Sequence, residues 1–343
     1  MTIHQVSVEE EIADPRKVRP HLVLIGAGAS RAAFPHGERS GRRLPLMTDF
    51  FDILPIGEIL DQTDILWRGN NFEDVYSLLI ACADLSAVRE QLERTVDEYF
   101  RSLSLPVEAT LYDVLLLSLR DKDVIATFNW DPFLIQAFQR SATLTRNLPH
   151  LLFLHGNVLH GVCTEDGVSG VRGARCSKCG RPFSPDRLLF PVGKKDYSTD
   201  PSIAMAWDGM RKTLEDALFF TIFGYGAPTS DQDAVALMSN AWGRWQDRQF
   251  EQVEIIDIRP PDELHEAWSG FIHTHHYECH TRFKESFLFN HPRRSVEAFH
   301  NQFIEAKFIA NNPVPLKLDL PQLHDWFRPL IEADEAVAVK GGA

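Results

Sequence analysis

Four short segments of this 343-residue chain contain residue types that could bind a dinucleotide and react with it. They are residues 26–30 (GAGAS), 127–131 (TFNWD), 154–157 (LHGN) and 224–226 (GYG). Glycine turns allow backbone N–H groups to approach a phosphate closely. An amide, a carboxylate and an imidazole can hold hydroxyl groups and move a proton. Together the four segments predict one site that grips a dinucleotide and acts on it.

Each segment lies at the end of a short apolar run that is typical of a buried parallel strand. The runs cover residues 21–25, 124–127, 151–154 and 218–223, and a fifth covers residues 253–258. Stretches with helical periodicity separate these runs. We therefore predict an α/β fold with a doubly wound, parallel, Rossmann-like sheet. Ligands of such sheets bind at the carboxyl ends of the strands, which would bring the four segments to one crevice.

Gly26 and Gly28 could form a turn that holds a pyrophosphate where a helix starts near Ser30. The usual dinucleotide fingerprint, G-x-G-x-x-G, ends in glycine, whereas this chain has Arg31 at that position. No acidic residue lies where a hydride-transferring fold would use one for the ribose. These differences argue against a dehydrogenase. A tight strand-to-helix turn without a ligand is the alternative interpretation of the glycines.

Asn129, Asp131 and His155 are the candidate catalytic residues. Asn129 and Asp131 lie two residues apart after a strand and could point the same way, toward a carboxamide or ribose hydroxyls. Asp131 precedes Pro132 and could instead cap the next helix. His155 ends a strand and is a natural general base, although a hydrogen-bonded core histidine is the alternative.

A polar, glycine-rich segment contains the candidate metal ligands His160, Cys163, Cys176 and Cys179. The two pairs, His160-x2-Cys163 and Cys176-x2-Cys179, have the spacing of a zinc ribbon. Four protein ligands would close the coordination sphere, so the predicted zinc is structural rather than catalytic. Free thiols in a loop are the alternative.

The composition excludes some classes of function. The net charge is −13, so the overall field of the protein would repel nucleic acid. No apolar stretch approaches the ~20 residues of a membrane span, and residues 1–20 lack the apolar core of a signal peptide. The five cysteines do not resemble a secreted disulfide framework. We therefore expect a cytoplasmic protein that contacts neither membrane nor nucleic acid directly.

At its motifs the chain resembles the sirtuin superfamily over about residues 21–258. The motifs are the glycine turn at 26–30, TFNWD at 127–131, LHG at 154–156, the ligand segment that follows, LLFPVGKKD at 188–196 and the turn at 223–227. The resemblance implies an NAD crevice with a catalytic histidine and a structural zinc. It implies cofactor contacts at Gly26, Ala27, Gly28, Ala29, Ser30, Gly224, Tyr225, Gly226 and Asp257.

The chain is more similar to the bacterial sirtuin-like branch, which has glycine-tyrosine-glycine-alanine-proline as at residues 224–228. Members of that branch are often NAD-hydrolysing effectors of phage defence, and some work with a partner ATPase. The resemblance thus implies an NAD glycohydrolase, a homo-oligomer and a possible partner ATPase of the AAA+ class. Phe128 replaces the usual glutamine of the sirtuin deacylases, and their loop after the first motif is missing. A deacylase and a catalytically silent subunit that binds NAD or ADP-ribose are the alternatives.

The same patterns predict how the chain is divided. Residues 20–46, 121–158 and 187–310 would form a discontinuous NAD-binding α/β domain. Residues 47–120 would be a helical insertion and residues 159–186 a zinc-ribbon-like module. Residues 311–343 would form a C-terminal extension.

Overall fold

A computed structural model of the protein describes residues 5–14, 19–192, 195–228, 231–244, 246–248, 250–272 and 276–340, with side chains up to residue 336. The strands are β1 Gln5–Val6, β2 His21–Ile25, β3 Val124–Thr127, β4 His150–Phe153, β5 His160–Cys163, β6 Val168–Val171, β7 Ser184–Pro185, β8 Phe219–Phe223, β9 Gln252–Ile256, β10 Tyr277–His280 and β11 Phe308–Ile309. The α-helices are α1 Val8–Ala13, α2 Ala27–Ala33, α3 Phe50–Ile53, α4 Gly57–Leu60, α5 Phe72–Ala81, α6 Ser86–Arg101, α7 Leu111–Leu117, α8 Phe133–Ser141, α9 Pro201–Asp216, α10 Gln232–Trp242, α11 Pro261–Ala267, α12 Phe287–Asn290, α13 Ser295–Phe299 and α14 Leu320–Lys340.

Six strands form the central sheet in the order β10-β9-β8-β2-β3-β4, and all neighbouring pairs are parallel. The first strand of this sheet along the chain, β2, lies in the interior, with later strands added outward on both sides. This is the strand order of a doubly wound dinucleotide-binding fold, so the predicted fold class is confirmed. The order reverses between β2 and β8, and the crevice at that switch point is where such folds bind ligands.

The sheet is buried on both faces because its strands are continuous apolar runs. Along β2, Val23 and Ile25 belong to one core, while Leu22 and Leu24 belong to the core on the other face. This division follows from the alternation of side chains along a strand. Both faces are therefore covered by helices, and the strand ends are left as the accessible edge.

Helices α3 to α7 follow the first βα unit, in the region where the sequence predicts a helical insertion. Phe50 of α3 stacks on Phe72 of α5, with ring centroids 4.1 Å apart. Leu92, Val96 and Phe100 form the buried stripe of α6. All five side chains belong to the same core as Val23 and Ile25. These helices thus pack on one face of the sheet, next to the carboxyl end of β2.

Further elements lie outside the central sheet, among them a two-stranded parallel sheet of β1 and β11. Strands β5, β6 and β7 form an antiparallel sheet in the order β6-β5-β7, which carries the cysteine segment. The long helix α14 buries four apolar side chains in the core beside the helical insertion. These are Leu323, Phe327, Leu330 and Ile331. None of the helices within the described ranges is both long and apolar enough to span a membrane.

Candidate active site

A cavity of about 750 Å³ opens at the carboxyl ends of the central strands. Residues from all four sequence segments line it, as the parallel sheet predicts. Of the predicted site residues, those that line it are Gly26, Ala27, Gly28, Ser30, Asn129, Asp131, His155, Gly224, Tyr225, Gly226 and Asp257. Ala29 is not among the lining residues, because its side chain is buried in the core.

The turn that contains Gly26 and Gly28 packs against the turn after β8 so closely that no side chain fits between them. A Cβ atom on Gly26 or Gly28 would lie 2.6 Å or 2.8 Å from the carbonyl oxygen of Gly224. Gly224 itself has a φ of +61°, and a Cβ there would lie 2.2 Å from the backbone nitrogen of Ala29. Only glycine fits these three positions without moving the backbone. The three glycines therefore allow the two turns to pack directly against each other at the switch point.

The N–H groups of this turn are partly engaged within the protein. Gly26 N donates to Phe223 O over 3.0 Å, and Gly28 N donates to Gly224 O over 2.9 Å. The predicted pyrophosphate contacts at these glycines therefore cannot come from their own N–H groups in this conformation. These glycines provide a surface without side chains that a ligand can approach closely, rather than a ring of free N–H donors.

Asn129 and Asp131 meet Ser30 in one hydrogen-bond network. Asn129 Nδ2 donates to Gly26 O and to Ser30 Oγ, both over 2.9 Å. Ser30 Oγ donates to Asp131 Oδ2 over 2.6 Å. The other carboxylate oxygen of Asp131 accepts a weaker bond from Phe133 N, the first residue of α8, at 3.3 Å. The N-cap position of α8 itself is Pro132. Asp131 thus connects Ser30 to the first turn of α8.

Tyr112 completes this network, and nothing in the sequence motifs indicated it. Its hydroxyl lies 2.7 Å from Ser30 Oγ. Since the hydroxyl hydrogen of Ser30 goes to Asp131, Tyr112 is the donor to Ser30. Burial raises the pKa of Tyr112 well above its ordinary value, so the phenol keeps its proton. Helix α7 therefore helps to fix the orientation of Ser30, Asn129 and Asp131.

Burial raises the pKa of Asp131 from 3.8 to about 6, against the opposing effect of its hydrogen bond from Ser30. The folded protein thus holds this proton at pH values where the unfolded chain has lost it. Stability from this group is present at low pH and is lost as the pH rises from about 4 to about 6. The pKa difference corresponds to about 3 kcal/mol.

Asp131→Asn is therefore expected to raise the free energy of unfolding relative to wild type at pH 8. Most of that gain should vanish at pH 4.5, where wild type regains the proton. Urea unfolding of both proteins at the two pH values measures the difference. Asp52→Asn, at an exposed position, is the control and should change stability little at either pH. A gain for Asp131→Asn that is the same at both pH values would contradict the assigned proton.

His155 lies just beyond β4, buried in the cavity wall, and its Nε2 has no hydrogen-bond partner within the described part of the chain. Burial lowers the pKa of His155 to about 3, with Asp231 opposing the change and Lys195 adding to it. The imidazole is therefore neutral at pH 7 and able to accept a hydrogen bond. Its ring packs edge-on against Phe128, with centroids 4.6 Å apart, which holds its orientation.

A buried ion pair, also not foreseen from the motifs, lies in the same wall. Lys195 Nζ contacts Asp231 Oδ1, and both side chains are more than nine-tenths buried. Tyr225 OH donates to the other oxygen of Asp231 over 2.9 Å. Tyr225 in turn stacks on Phe128, with centroids 4.2 Å apart. The Lys195–Asp231 pair therefore places one positive and one negative charge near His155.

Asp257 lies at the far end of the cavity, just after β9. Arg259 donates two hydrogen bonds to one of its oxygens, from Nη2 at 2.8 Å and Nε at 3.2 Å. A third bond runs from Arg259 Nη1 to Gly226 O at 3.2 Å. Strands β8 and β2 lie between β9 and β3, so Asp257 and Asn129 are separated by three strand spacings, about 14 Å. The site is therefore elongated along the strand ends.

The metal-ligand prediction needs one correction. Ligand atoms of Cys163, Asp166, Cys176 and Cys179 lie within 4.8 Å of one another, without His160. His160 and Cys163 are the two ends of β5. In a strand, residues three positions apart have Cα atoms about 10 Å apart, and their side chains point to opposite faces. His160 Nδ1 instead pairs with Asp186 over 2.7 Å. The turn after β5 supplies Asp166 in its place.

The donor set of three thiols and one carboxylate fits a tetrahedral zinc ion. Cys163 and Cys176 are buried, whereas Cys179 is exposed. The surrounding small sheet has little apolar core, so a metal would hold its loops together. Four protein donors would fill the tetrahedral coordination sphere of the zinc and leave no position for a substrate, as in a structural site.

We expect the purified protein to carry about one zinc ion per chain. Cys176→Ser should lose the zinc and melt at a lower temperature, because the remaining ligands cannot close the site. His160→Ala should keep the zinc and is the matched control. Elemental analysis after gel filtration, with melting curves, measures both. Zinc lost from His160→Ala but retained by Asp166→Ala would contradict the corrected ligand set.

Comparisons with known proteins gave structural matches only. No family model and no curated protein matches the chain. Among solved structures, a Sir2 homolog–NAD complex is 15% identical, with a TM-score of 0.43, over 85% of this chain and 94% of that one. A Sir2–p53 peptide–NAD+ structure is 14% identical, with a TM-score of 0.37, over 85% and 95%. A complex of a mutant Sir2 homologue with ADP ribose is 11% identical, with a TM-score of 0.36, over 97% and 98%.

Proposed function

We propose that the protein hydrolyses the nicotinamide–ribose bond of NAD, releasing nicotinamide and ADP-ribose. One observation carries the proposal. Asn129, Asp131 and His155 line the same elongated cavity as the glycine turns at the switch point, and Nε2 of His155 is unpaired with respect to the described residues. Doubly wound sheets bind dinucleotides at this place.

The layout of the cavity supports one orientation of the dinucleotide. The pyrophosphate would lie over the joined turns of Gly26, Gly28 and Gly224, where the absence of side chains permits the closest approach. The adenosine would extend toward Asp257 after β9. The nicotinamide ribose would then extend the other way, to the ends of β3 and β4, where it meets Asn129 and His155.

The chemistry requires little from the protein beyond positioning. The bond between C1′ of the ribose and the ring nitrogen breaks, and its electron pair leaves with nicotinamide, which departs neutral. Water adds its hydroxyl to C1′ and releases a proton. The neutral imidazole of His155 would accept that proton, or one from a ribose hydroxyl, and Asn129 would orient the ribose and the water. The zinc site would have a structural role only.

The sequence resemblance, rather than the geometry, supports the biological setting that we propose. The protein would act in the cytoplasm as an antiviral effector that depletes NAD during phage infection. It would assemble as a homo-oligomer and could work with an AAA+ ATPase partner. Within the proposed architecture, residues 47–120 and 159–186 would be the inserted helical block and the zinc module.

Nicotinamide release from NAD tests the reaction. We expect nicotinamide and ADP-ribose in equal amounts from NAD and protein alone, by chromatography. Nicotinamide that appears only with an acetylated peptide, together with an acetylated ADP-ribose, would indicate a deacylase. NAD binding in calorimetry without nicotinamide release under either condition would indicate a silent binding subunit. Either of these two results would overturn the proposed hydrolysis.

A further inference from the structure

The β10 edge of the central sheet carries a second group of potential metal ligands. Ligand atoms of Glu254, Glu278 and His280 lie within 4.8 Å of one another. Glu254 of β9 is the register partner of Glu278 in β10, and His280 follows two residues later on the same face of β10. An imidazole together with two carboxylates is a donor set that suits divalent transition-metal ions.

The Nε2 atom of His280 faces both carboxylates at distances that suit the ligands of one ion better than hydrogen bonds. It lies 3.3 Å from Glu254 Oε1 and 3.4 Å from Glu278 Oε2. A charge-assisted N–H···O bond would be about 2.7–2.9 Å long, and Nε2 has no hydrogen-bond partner among the residues that the structure describes. Zinc bonds of about 2.0–2.2 Å place the ligand atoms of a tetrahedron about 3.3–3.6 Å apart. The two measured distances therefore match edges of a zinc tetrahedron.

The charges of the group also favour a cation. Glu254 is fully buried, and buried carboxylates are normally paired or bound to a metal. Within the described ranges His280 is the ion-pair partner of both glutamates, and neither of them pairs with an arginine or a lysine. Two carboxylates and one protonated imidazole leave one negative charge uncompensated. A divalent ion with a neutral imidazole would balance both carboxylates.

Glu254 is held in place by hydrogen bonds that still allow it to bind an ion. Its Oε1 accepts from Phe287 N over 2.7 Å, and its Oε2 accepts from the Thr221 hydroxyl over 3.0 Å. Because the hydroxyl hydrogen of Thr221 goes to Glu254, His21 Nε2 donates to Thr221 Oγ1 over 2.8 Å. Each carboxylate oxygen has a further lone pair that these bonds do not use. Carboxylates that bind metals are typically oriented by outer hydrogen bonds of this kind.

We propose that Glu254, Glu278 and His280 bind a divalent transition-metal ion such as zinc. The ion would enter from solvent beside Glu278, whose side chain is 48% exposed on the edge strand. Three protein ligands leave the fourth position of the ion to water. The bound ion would join β9 to the edge strand β10. With one protein ligand fewer than the cysteine segment, this site would hold zinc more weakly, so its zinc must be supplied.

Calorimetric titration with zinc chloride tests the proposal on protein whose zinc content has first been measured. We expect wild type to take up one further zinc ion that depends on these residues. Glu278→Gln and His280→Ala should weaken that uptake at least about tenfold, since loss of even an outer partner of a metal ligand costs that much. His265→Ala is the control and should bind the ion like wild type. His265 is exposed and lies against Tyr277, whose side chain points to the other face of β10.

Absence of further zinc uptake by wild type would show that the group is an ion pair only and would overturn the proposal. Unchanged uptake by both Glu278→Gln and His280→Ala would place the ion elsewhere and overturn it as well. Glu278→Gln alters a half-exposed side chain, so it should fold, and added zinc should raise the melting temperature of wild type but not of this variant. The comparison counts only the ion that these residues bind. Neither the cysteine site nor the proposed NAD hydrolysis therefore affects its outcome.

Discussion

His155→Ala is expected to lower the rate of nicotinamide release from NAD by about 100-fold or more. Nε2 of this imidazole has no hydrogen-bond partner among the residues that the structure describes, and His155 lines the cavity. Alanine removes that acceptor while the glycine turns and Asn129 remain. The rate is measured at saturating NAD, together with a melting curve for each protein.

His150→Ala is the matched control for this prediction. His150 begins the same strand, β4, but is exposed at the opposite end from the cavity. Its replacement should leave nicotinamide release unchanged within about twofold, since surface substitutions rarely disturb a distant site. If His155→Ala folds and retains full activity, His155 has no catalytic role and the mechanism proposed above is wrong.

Asp334→Ala is expected to have the largest effect on stability, a loss of about 3–5 kcal/mol in the free energy of unfolding. Asp334 of α14 is buried and pairs with three buried arginines. They are Arg293, Arg294 at 3.3 Å and Arg120 at 3.5 Å. Burial lowers the pKa of Arg293 and Arg294, and Asp334 opposes that effect. Without Asp334, the buried guanidinium groups of Arg293 and Arg294 would lose the negative charge that offsets most of the cost of their burial.

Urea unfolding at pH 7 measures this loss, and Asp325→Ala is the control on the same helix. The side chain of Asp325 is 75% exposed and pairs with an exposed arginine, Arg328. Exposed pairs of this kind contribute about 0–1 kcal/mol. A loss for Asp334→Ala that is no larger than that for Asp325→Ala would show that the buried charges do not hold α14 to the core.

The central sheet could be predicted from the sequence because buried parallel strands leave an unmistakable apolar pattern. The predicted strand at residues 218–223 corresponds to Phe219–Phe223, and that at 253–258 to Gln252–Ile256. Strand β10 and helix α14 could not be predicted in this way. β10 is a short edge strand with polar residues, and α14 contains Pro329, which argues against a continuous helix.

The site could be predicted only where the chemistry lies directly at a strand end. Asn129, Asp131 and His155 meet this condition, and the structure brings them to one cavity. Tyr112 and the Lys195–Asp231 pair come from other parts of the chain, so only tertiary packing shows their contribution. The ligand set of the zinc site depended on whether residues 160–163 form a turn or a strand, which the spacing of ligands does not determine.

The position of NAD bound to the His155→Ala protein is the most direct test of the central claim, since this variant should bind NAD without cleaving it. A crystal structure of that complex should place the pyrophosphate over Gly26, Gly28 and Gly224. The C1′ atom of the nicotinamide ribose should face Asn129 and the space left by the imidazole. A dinucleotide bound elsewhere, or with its adenosine at Asn129, would contradict the account.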